Sequence, residues 1–295
     1  MPKFRVNFTE NHLKALIAVS RLVNATSQAV AYSQNMPERR NYWKRYLNDL
    51  DDAGLLTSKI IHSTARTGRS GARLGTLYAL KPAGAQALAE ATGIDENDVF
   101  VPAGGIRATS PFQYPHRAEF IELMACFLGH EKASGGQFEV LELHPYFRQE
   151  GANRLGTGKA VTTVTVRGSF KSPTLVPDGI IRFRVGDTVR LAAIELHRTT
   201  DTLAIIEQLK KHAAAIEDGL YQKAFHHAGA NHVFSVHRDA ARLKNVCERI
   251  RQGEFFDFSR YEAGYHFSTF TDVITQGIEG VFWGLSGVRR EIFVK

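Results

Sequence analysis

The chain has 295 residues, with hydrophobic residues at 43% and charged residues at 23%. At ~150 residues per domain this length predicts two domains, and the balance excludes a disordered or fibrous chain. No apolar run approaches the ~20 residues of a bilayer span. The opening MPKFRVNFTENHLKALIAV also lacks the long apolar core and small-residue cleavage site of a signal peptide. Cys126 and Cys247 lie far apart in helix-like segments. They offer no disulfide framework, so the expected compartment is a reducing cytoplasm.

The formal net charge is +7, and it is not spread evenly. Residues 1–92 carry 13 Lys and Arg against 6 Asp and Glu, whereas the remainder carries 24 of each. A localised basic field of this kind attracts a polyphosphate partner.

In chain order, Thr9 is placed to cap a helix running to about Arg21, with Leu13, Leu16, Ile17 and Leu22 as its apolar stripe. A short helix is predicted over 25–33, and a third over 36–50 with Pro37 in its first turn. On that third helix Trp43, Leu47 and Leu50 share one face. Arg40, Asn41, Lys44, Arg45 and Asn48 form the polar side, which supplies donors for phosphates and base edges. Two strands, 59–64 and 74–80, then flank ARTGRSGA, a glycine-rich turn carrying Arg66 and Arg69 and followed by Arg73. LYALKPAGAQALAE resumes a helix. Three helices followed by a basic hairpin resemble the winged helix-turn-helix. In that fold the third helix enters the major groove of double-stranded DNA and the hairpin touches the backbone. This gives a DNA-binding domain over 1–93. Residues 94–115, with three prolines and two adjacent glycines, read as a linker.

From residue 116 to 295 a second domain is expected. It opens with a helix, HRAEFIELMACFLGH, on which Phe120, Met124 and Phe127 share a face. A strand over 138–143 follows, then a loop rich in Gly, Arg and Lys, and then VTTVTV as a further strand. LVPDGIIRFRV and VRLAAIEL form a hairpin around Gly186-Asp187. A helix over 200–217, the strand HVFSVH and a helix over 240–251 complete the order α-β-β-β-α-β. The helix between strands of one sheet implies a crossover, and the fold class is α/β, α+β overall. The aromatic-rich tail, 254–295, is expected to complete the core or to form a dimer surface, which leaves a homodimer open.

Chemistry concentrates at Asp178, which follows Pro177 at the start of one strand, and at Glu195 near the end of its neighbour. Alternation puts Glu195 and His197 on one face. Two converging carboxylates suit Mg²⁺ or Mn²⁺, which polarises a phosphate and activates water. A bland reading stands beside this one: Asp178 before Gly179 is a turn residue, and Glu195 pairs with Arg182, Arg184 or Arg198. His197 in turn is a structural histidine, and Glu119 a solvated helix residue. Other motifs fall short. Gly156-Thr-Gly158-Lys159 has Asn153 and Ala160 where a phosphate loop needs Gly and Ser or Thr. His226, His227 and His232 lack zinc-type spacing. Nothing in the surroundings of Tyr114, Tyr146 or Tyr221 marks a nucleophile.

Pro177-Asp178 followed by Glu195-Leu196-His197 resembles the PD-(D/E)XK nuclease superfamily, with histidine in the position usually held by lysine. With the winged helix in front and ELHRTT leading into a lysine-bearing helix, the chain resembles the replication-relaxation family, which includes the MobC-type plasmid relaxases. Glu195, Arg198 and Thr200 fit that family's E-x-D-R-G-T, and His197 and Thr199 depart from it. The resemblance implies a protein of plasmid mobilisation or replication that binds origin DNA, with relaxosome proteins as partners, and nicks or relaxes DNA with a divalent metal; the lack of an apolar span leaves no membrane partner expected. By position Asp178 and Glu195 would hold the metal, His197 would take the third motif position, and Glu119 on the first core helix would be an auxiliary carboxylate. Glu122 points the other way. The competing expectations are a non-catalytic origin-binding protein with an inactive nuclease fold and a restriction-type endonuclease that breaks both strands.

Overall fold

A computed structural model of the chain describes residues 8–63, 71–102, 106, 111–150, 158–168, 172–227, 231–253 and 257–293. Its fold is mixed α and β. It divides into two compact units: Met1–Ala133 with Arg148–Lys159, and Ser134–Phe147 with Ala160–Lys295.

In the first unit α1 (Glu10–Leu22) starts at Thr9, whose backbone amide donates to His12 Nδ1 at 3.1 Å. Its buried face is His12, Ala15, Leu16, Ala18, Val19 and Leu22, so Leu13 and Ile17 sit at the edge of the stripe rather than inside it. Strand β1 (Asn24–Ala25) and α2 (Ser27–Ser33) follow, the latter capped by the Thr26 hydroxyl, which accepts from the Ala29 amide at 3.0 Å. Pro37–Arg39 forms a 3₁₀ turn, so α3 begins later than the sequence suggests and spans Arg40–Asp52. Strands β2 (Leu56–His62) and β3 (Arg73–Leu80) form an antiparallel hairpin, with β1 pairing β3 on its other side. Helix α4 (Pro82–Thr92) opens on proline and stops at Gly93 with φ 74°, a conformation that favours glycine.

Helix α5 (Tyr114–Ala133) groups with this first unit, not with the sheet that follows it. Buried residues occur around most of its circumference, Phe120, Leu123, Met124 and Phe127 among them. Its tie to α2 is close: a Cβ on Gly129 would lie 2.3 Å from the Tyr32 carbonyl oxygen. Arg21 and Glu131 pair, and Lys132 Nζ donates to Gln34 Oε1 at 2.6 Å. The stretch read as a linker is not wholly solvated, since Val99 and Ile106 are buried. The second unit therefore begins at Ser134 rather than at residue 116.

The second unit is built on a five-stranded sheet. Strand β4 is Phe138–Pro145, and four two-residue strands follow in chain order: β5 (Gln149–Glu150), which belongs to the first unit, β6 (Lys159–Ala160) at the boundary, β7 (Val164–Thr165) and β8 (Thr174–Leu175). Of VTTVTV only the β7 pair is strand, and it pairs with β8. Then come β9 (Gly179–Val185), β10 (Thr188–His197), α6 (Thr202–Glu217), α7 (Leu220–Phe225), β11 (Asn231–His237), α8 (Ala240–Arg251), β12 (Tyr265–Thr269) and α9 (Phe270–Gln276). The sheet order is β12-β11-β10-β9-β4. β4, β9 and β10 form an antiparallel meander, and β10, β11 and β12 run parallel. Parallel neighbours need a crossover, which the intervening helices provide.

Alternation on the central strands divides the side chains cleanly. One face carries Val233, Tyr265 and Phe267, which pack with Ile205, Ile206 and Leu209 of α6 and Val246 and Ile250 of α8. The other carries a ring cluster in which Phe183 and Phe234 meet Phe293, and Phe234 meets Phe282. The C-terminal aromatic residues thus complete the core, and β12 adds the fifth strand. Cys126 and Cys247 are buried free thiols. Among the described residues no helix is long and apolar enough to cross a membrane.

Candidate functional site

The carboxylates singled out in the sequence come together. β9 and β10 pair with Gly179 opposite Ile194, so Asp178 stands one register step further, at the level of Glu195. Asp178 Oδ2 accepts the Leu196 amide at 2.8 Å. Glu195, 1% exposed, has its Oε1 2.6 Å from His212 Nε2. His212 is 0% exposed, and its Nδ1 lies 2.7 Å from the Tyr221 hydroxyl. With the tyrosine donating to Nδ1, the imidazole proton sits on Nε2 and is donated to Glu195. A deep polar line results, Tyr221 to His212 to Glu195 to Asp178, inside an otherwise apolar layer.

This placement sets the protonation states. Burial, followed by the negative charge of Asp178, raises the Glu195 pKa well above the ordinary carboxylate value. Burial lowers the His212 pKa to about 3, so that ring is neutral. Burial and then the charge of Glu195 hold the Tyr221 phenol well above its usual range. Glu195 accordingly holds a proton shared toward Asp178 until a cation or a further donor relieves the repulsion.

The line reaches a cleft through Gln208. The Gln208 side chain donates to Glu195, and Gln208 also lines a cleft of about 800 Å³ between α6 and the β8 segment. Thr174, Val176, Leu203, Lys210 and Lys211 line it as well. Gln208, His212 and Tyr221 were not anticipated from sequence. A signal was available: Gln208 and His212 are four apart on α6, so they extend one helical face that also bears Ile205 and Leu209.

His197 lies on the same strand face but belongs to another group. Its Nε2 is 3.1 Å from the Ser235 hydroxyl, which is 3.0 Å from His237 Nε2. Glu195 does not take an arginine partner from its own hairpin: Arg182 pairs with Glu142 and Arg184 with Glu139. Glu119 sits on α5, in the first unit, beside Glu122. The Glu122 pKa is raised to about 7 by burial and then by the charge of Glu119.

On α3 the predicted division of faces is present. Trp43, Leu47 and Leu50 are buried, and Arg40, Asn41, Lys44, Arg45 and Asn48 are exposed. Half-buried Tyr42 and buried Tyr46 border the exposed side, their hydroxyls 3.2 Å apart, with the Arg45 guanidinium 5.0 Å from the Tyr46 ring centroid. Arg73 is exposed on β3 and donates to the Thr76 hydroxyl at 2.6 Å. Arg66 and Arg69 lie outside the described residues.

No protein-family model, no curated protein and no solved structure matches the chain. The resemblance to the replication-relaxation family therefore rests on the quoted motifs alone.

Whether a divalent cation fits follows from the donors. Asp178, Glu195 and the Gln208 amide are hard oxygen donors, and two adjacent carboxylates repel until a cation or proton intervenes. In number the set is small: among the described residues no group of three or more His, Cys, Asp or Glu side chains is placed to hold a metal. Mg²⁺ is commonly held by one or two carboxylates, with waters and substrate phosphate completing its shell. The pair thus fits a cation arriving with a phosphate substrate better than a resident, fully caged one.

Proposed function

We propose that the protein binds double-stranded DNA through α3 and the β2–β3 hairpin and cleaves a phosphodiester at the Asp178–Glu195 pair. The observation that carries this reading is the pair itself: two carboxylates forced together at a buried position and linked through Gln208 to an open cleft. Perturbed acids at a cleft are where hydrolytic chemistry is found. The exposed cations of α3 supply phosphate contacts, and its Asn41 and Asn48 supply donors and acceptors for base edges.

Asp178 and Glu195 would hold Mg²⁺ or Mn²⁺, which when bound supplies electrophilic assistance at the phosphate. The chain's own groups do the rest. Tyr221 and His212 fix the rotamer of Glu195, and the Leu196 amide fixes Asp178. Gln208 connects the pair to the cleft, whose rim carries Lys210 and Lys211 to draw in the phosphodiester. An origin of plasmid mobilisation or replication is the target that the motif resemblance implies.

The second reading is binding without cleavage. His197 favours it, because that side chain is hydrogen-bonded to Ser235 beside His237 and stands in the motif position where the nuclease superfamily carries a lysine. One experiment separates the two: supercoiled plasmid incubated with the protein in Mg²⁺, in Mn²⁺ and in EDTA, beside a gel-shift assay. Metal-dependent open circles that disappear with Asp178→Ala support cleavage. Intact supercoils with a clear shift support binding alone, and linear product would point to cleavage of both strands.

A further inference from the structure

The two parallel strands β10 and β11 end together, with His197 opposite His237 as their last pair. One further bond, from the Arg238 amide to the His197 carbonyl at 3.2 Å, continues the ladder. The residues that follow are Arg198 and Arg238, so two guanidinium groups emerge from neighbouring positions at the carboxyl edge of the sheet. Arg242, in the first turn of α8, reaches back and donates to the Thr200 carbonyl at 2.7 Å. That bond ties the start of the helix to the loop after β10. Between these groups lies a cavity of about 420 Å³, lined by His197, Arg198, Thr199, Thr200, Arg238, Asp239 and Arg242.

Three arginines against one aspartate leave the cavity walls with a net charge of +2. Asp239 is already committed: its Oδ1 caps α8, accepting the amides of Ala241 at 2.7 Å and Arg242 at 3.2 Å. Recognition of an anion therefore falls to the arginines and threonine hydroxyls, not to the helix terminus. Beneath them Ser235 bridges His197 and His237. The buried His237 Nδ1 has no hydrogen-bond partner among the described residues. Its imidazole is held neutral, its pKa lowered to about 4 by burial and then by Arg242, so His237 adds no charge beside the cavity. Planar guanidinium forks match the oxygens of a phosphate, and crevices at the carboxyl ends of parallel strands are where open α/β sheets bind ligands.

We propose that this cavity is a phosphate-binding site, separate from the carboxylate cleft, in which Arg198, Arg238 and Arg242 take the oxygens of one phosphate group. The phosphate comes either from a free phosphate compound or from a DNA backbone. The assignment does not depend on whether the carboxylate pair cuts.

The test uses the full chain with two probes, inorganic pyrophosphate by calorimetry and a short DNA duplex by fluorescence anisotropy. Three proteins are compared: wild type, Arg198→Gln/Arg238→Gln and Lys44→Gln/Arg45→Gln. Loss of charge-assisted hydrogen bonds predicts at least about tenfold weaker binding by the first variant. If that loss appears with pyrophosphate, the site takes free phosphate; if it appears only with the duplex, the site takes the DNA backbone. The Lys44→Gln/Arg45→Gln variant should weaken the duplex alone, so a failure of the DNA reading shows separately. Unchanged affinity of Arg198→Gln/Arg238→Gln for both probes, in a protein that melts like wild type, would overturn the proposal. If the double variant melts early, Arg238→Gln and the charge-keeping Arg238→Lys replace it. Arg238→Gln should then lose binding and Arg238→Lys, which keeps the charge but not the fork, should lose less of it, and wild-type affinity in both overturns the site.

Discussion

The two units handle charge in opposite ways. In the first, the ionisable groups that matter stand in water: Arg40, Lys44, Arg45 and Arg73 are exposed, on a unit where Tyr42 and Tyr46 meet edge to face. In the second, they are inside the protein. Glu195, His212, Tyr221, His237 and His266 are all nearly or wholly buried, and burial keeps the histidines neutral and the carboxyl protonated. Exposed charge acts at a distance and is screened by salt, which suits it to gathering DNA. Buried polar groups act at contact and depend on every hydrogen bond being made. The sensitivity of the two units to pH, salt and truncation should differ accordingly.

Acidification should expose the largest difference. Burial lowers the pKa of His237 and His232 to about 4, and that of His212 to about 3. Between those values and the ordinary 6.5, the unfolded chain binds more protons than the folded one, so stability falls as pH falls through that window. Glu195, with its raised pKa, works the other way, but it is one group against several. Hydrogen exchange resolved by peptide should show the β10–β11 region opening before α1–α3 as pH drops from 6.5 toward about 4. Simultaneous opening of both units would break the comparison.

Next in size is the surface effect. Lys44→Gln/Arg45→Gln should weaken duplex binding at least about tenfold and lower the slope of log affinity against log salt by about two, with no change in melting temperature. A loss of affinity without a change in slope would mean that these side chains do not face phosphate. Tyr221→Phe should have a smaller effect, in the second unit alone. It removes the buried donor to His212 Nδ1, and an unsatisfied buried acceptor costs about 1–3 kcal/mol. Denaturant midpoints measure it, and Lys44→Gln serves as the neutral control.

The smallest prediction sharpens the contrast, because the first unit holds a half-buried acid, Glu122. Burial and then Glu119 raise the Glu122 pKa to about 7. From the ordinary 4.5 up to that value the folded state binds more protons than the unfolded, so this group's contribution to stability is lost as pH rises. Glu122→Gln should remove that decline and little else, as melting curves across the window would register.

Legibility in the sequence followed the same division. The exposed face of α3 was readable because helical period alone separates Trp43, Leu47 and Leu50 from Lys44, Arg45 and Asn48. The Asp178–Glu195 pair was readable because both sit on adjacent strands joined by a tight turn at Gly186. What surrounds Glu195 was not. His212 and Tyr221 arrive from two helices after a crossover, and no local pattern marks which buried polar residues will meet. The grouping of α5 was also hidden. Its apolar residues run around the helix, so periodicity gives no direction in which to pack it, and the close approach at Gly129 depends on where α2 lies. His197 was assigned to the carboxylates on strand alternation and on its place in the resembled motif. Its actual partner, Ser235, comes from the neighbouring parallel strand.

Cleavage requires the buried pair to act on DNA. The most direct measurement is nicking of supercoiled plasmid in Mg²⁺ by wild type and by Glu195→Gln, which keeps the side chain's size and its acceptor for His212. Open circles are expected with wild type, none in EDTA, and none with the variant, while both proteins shift duplex DNA equally. Wild-type protein that leaves the plasmid supercoiled, or Glu195→Gln that nicks as fast as wild type, would contradict cleavage at the pair.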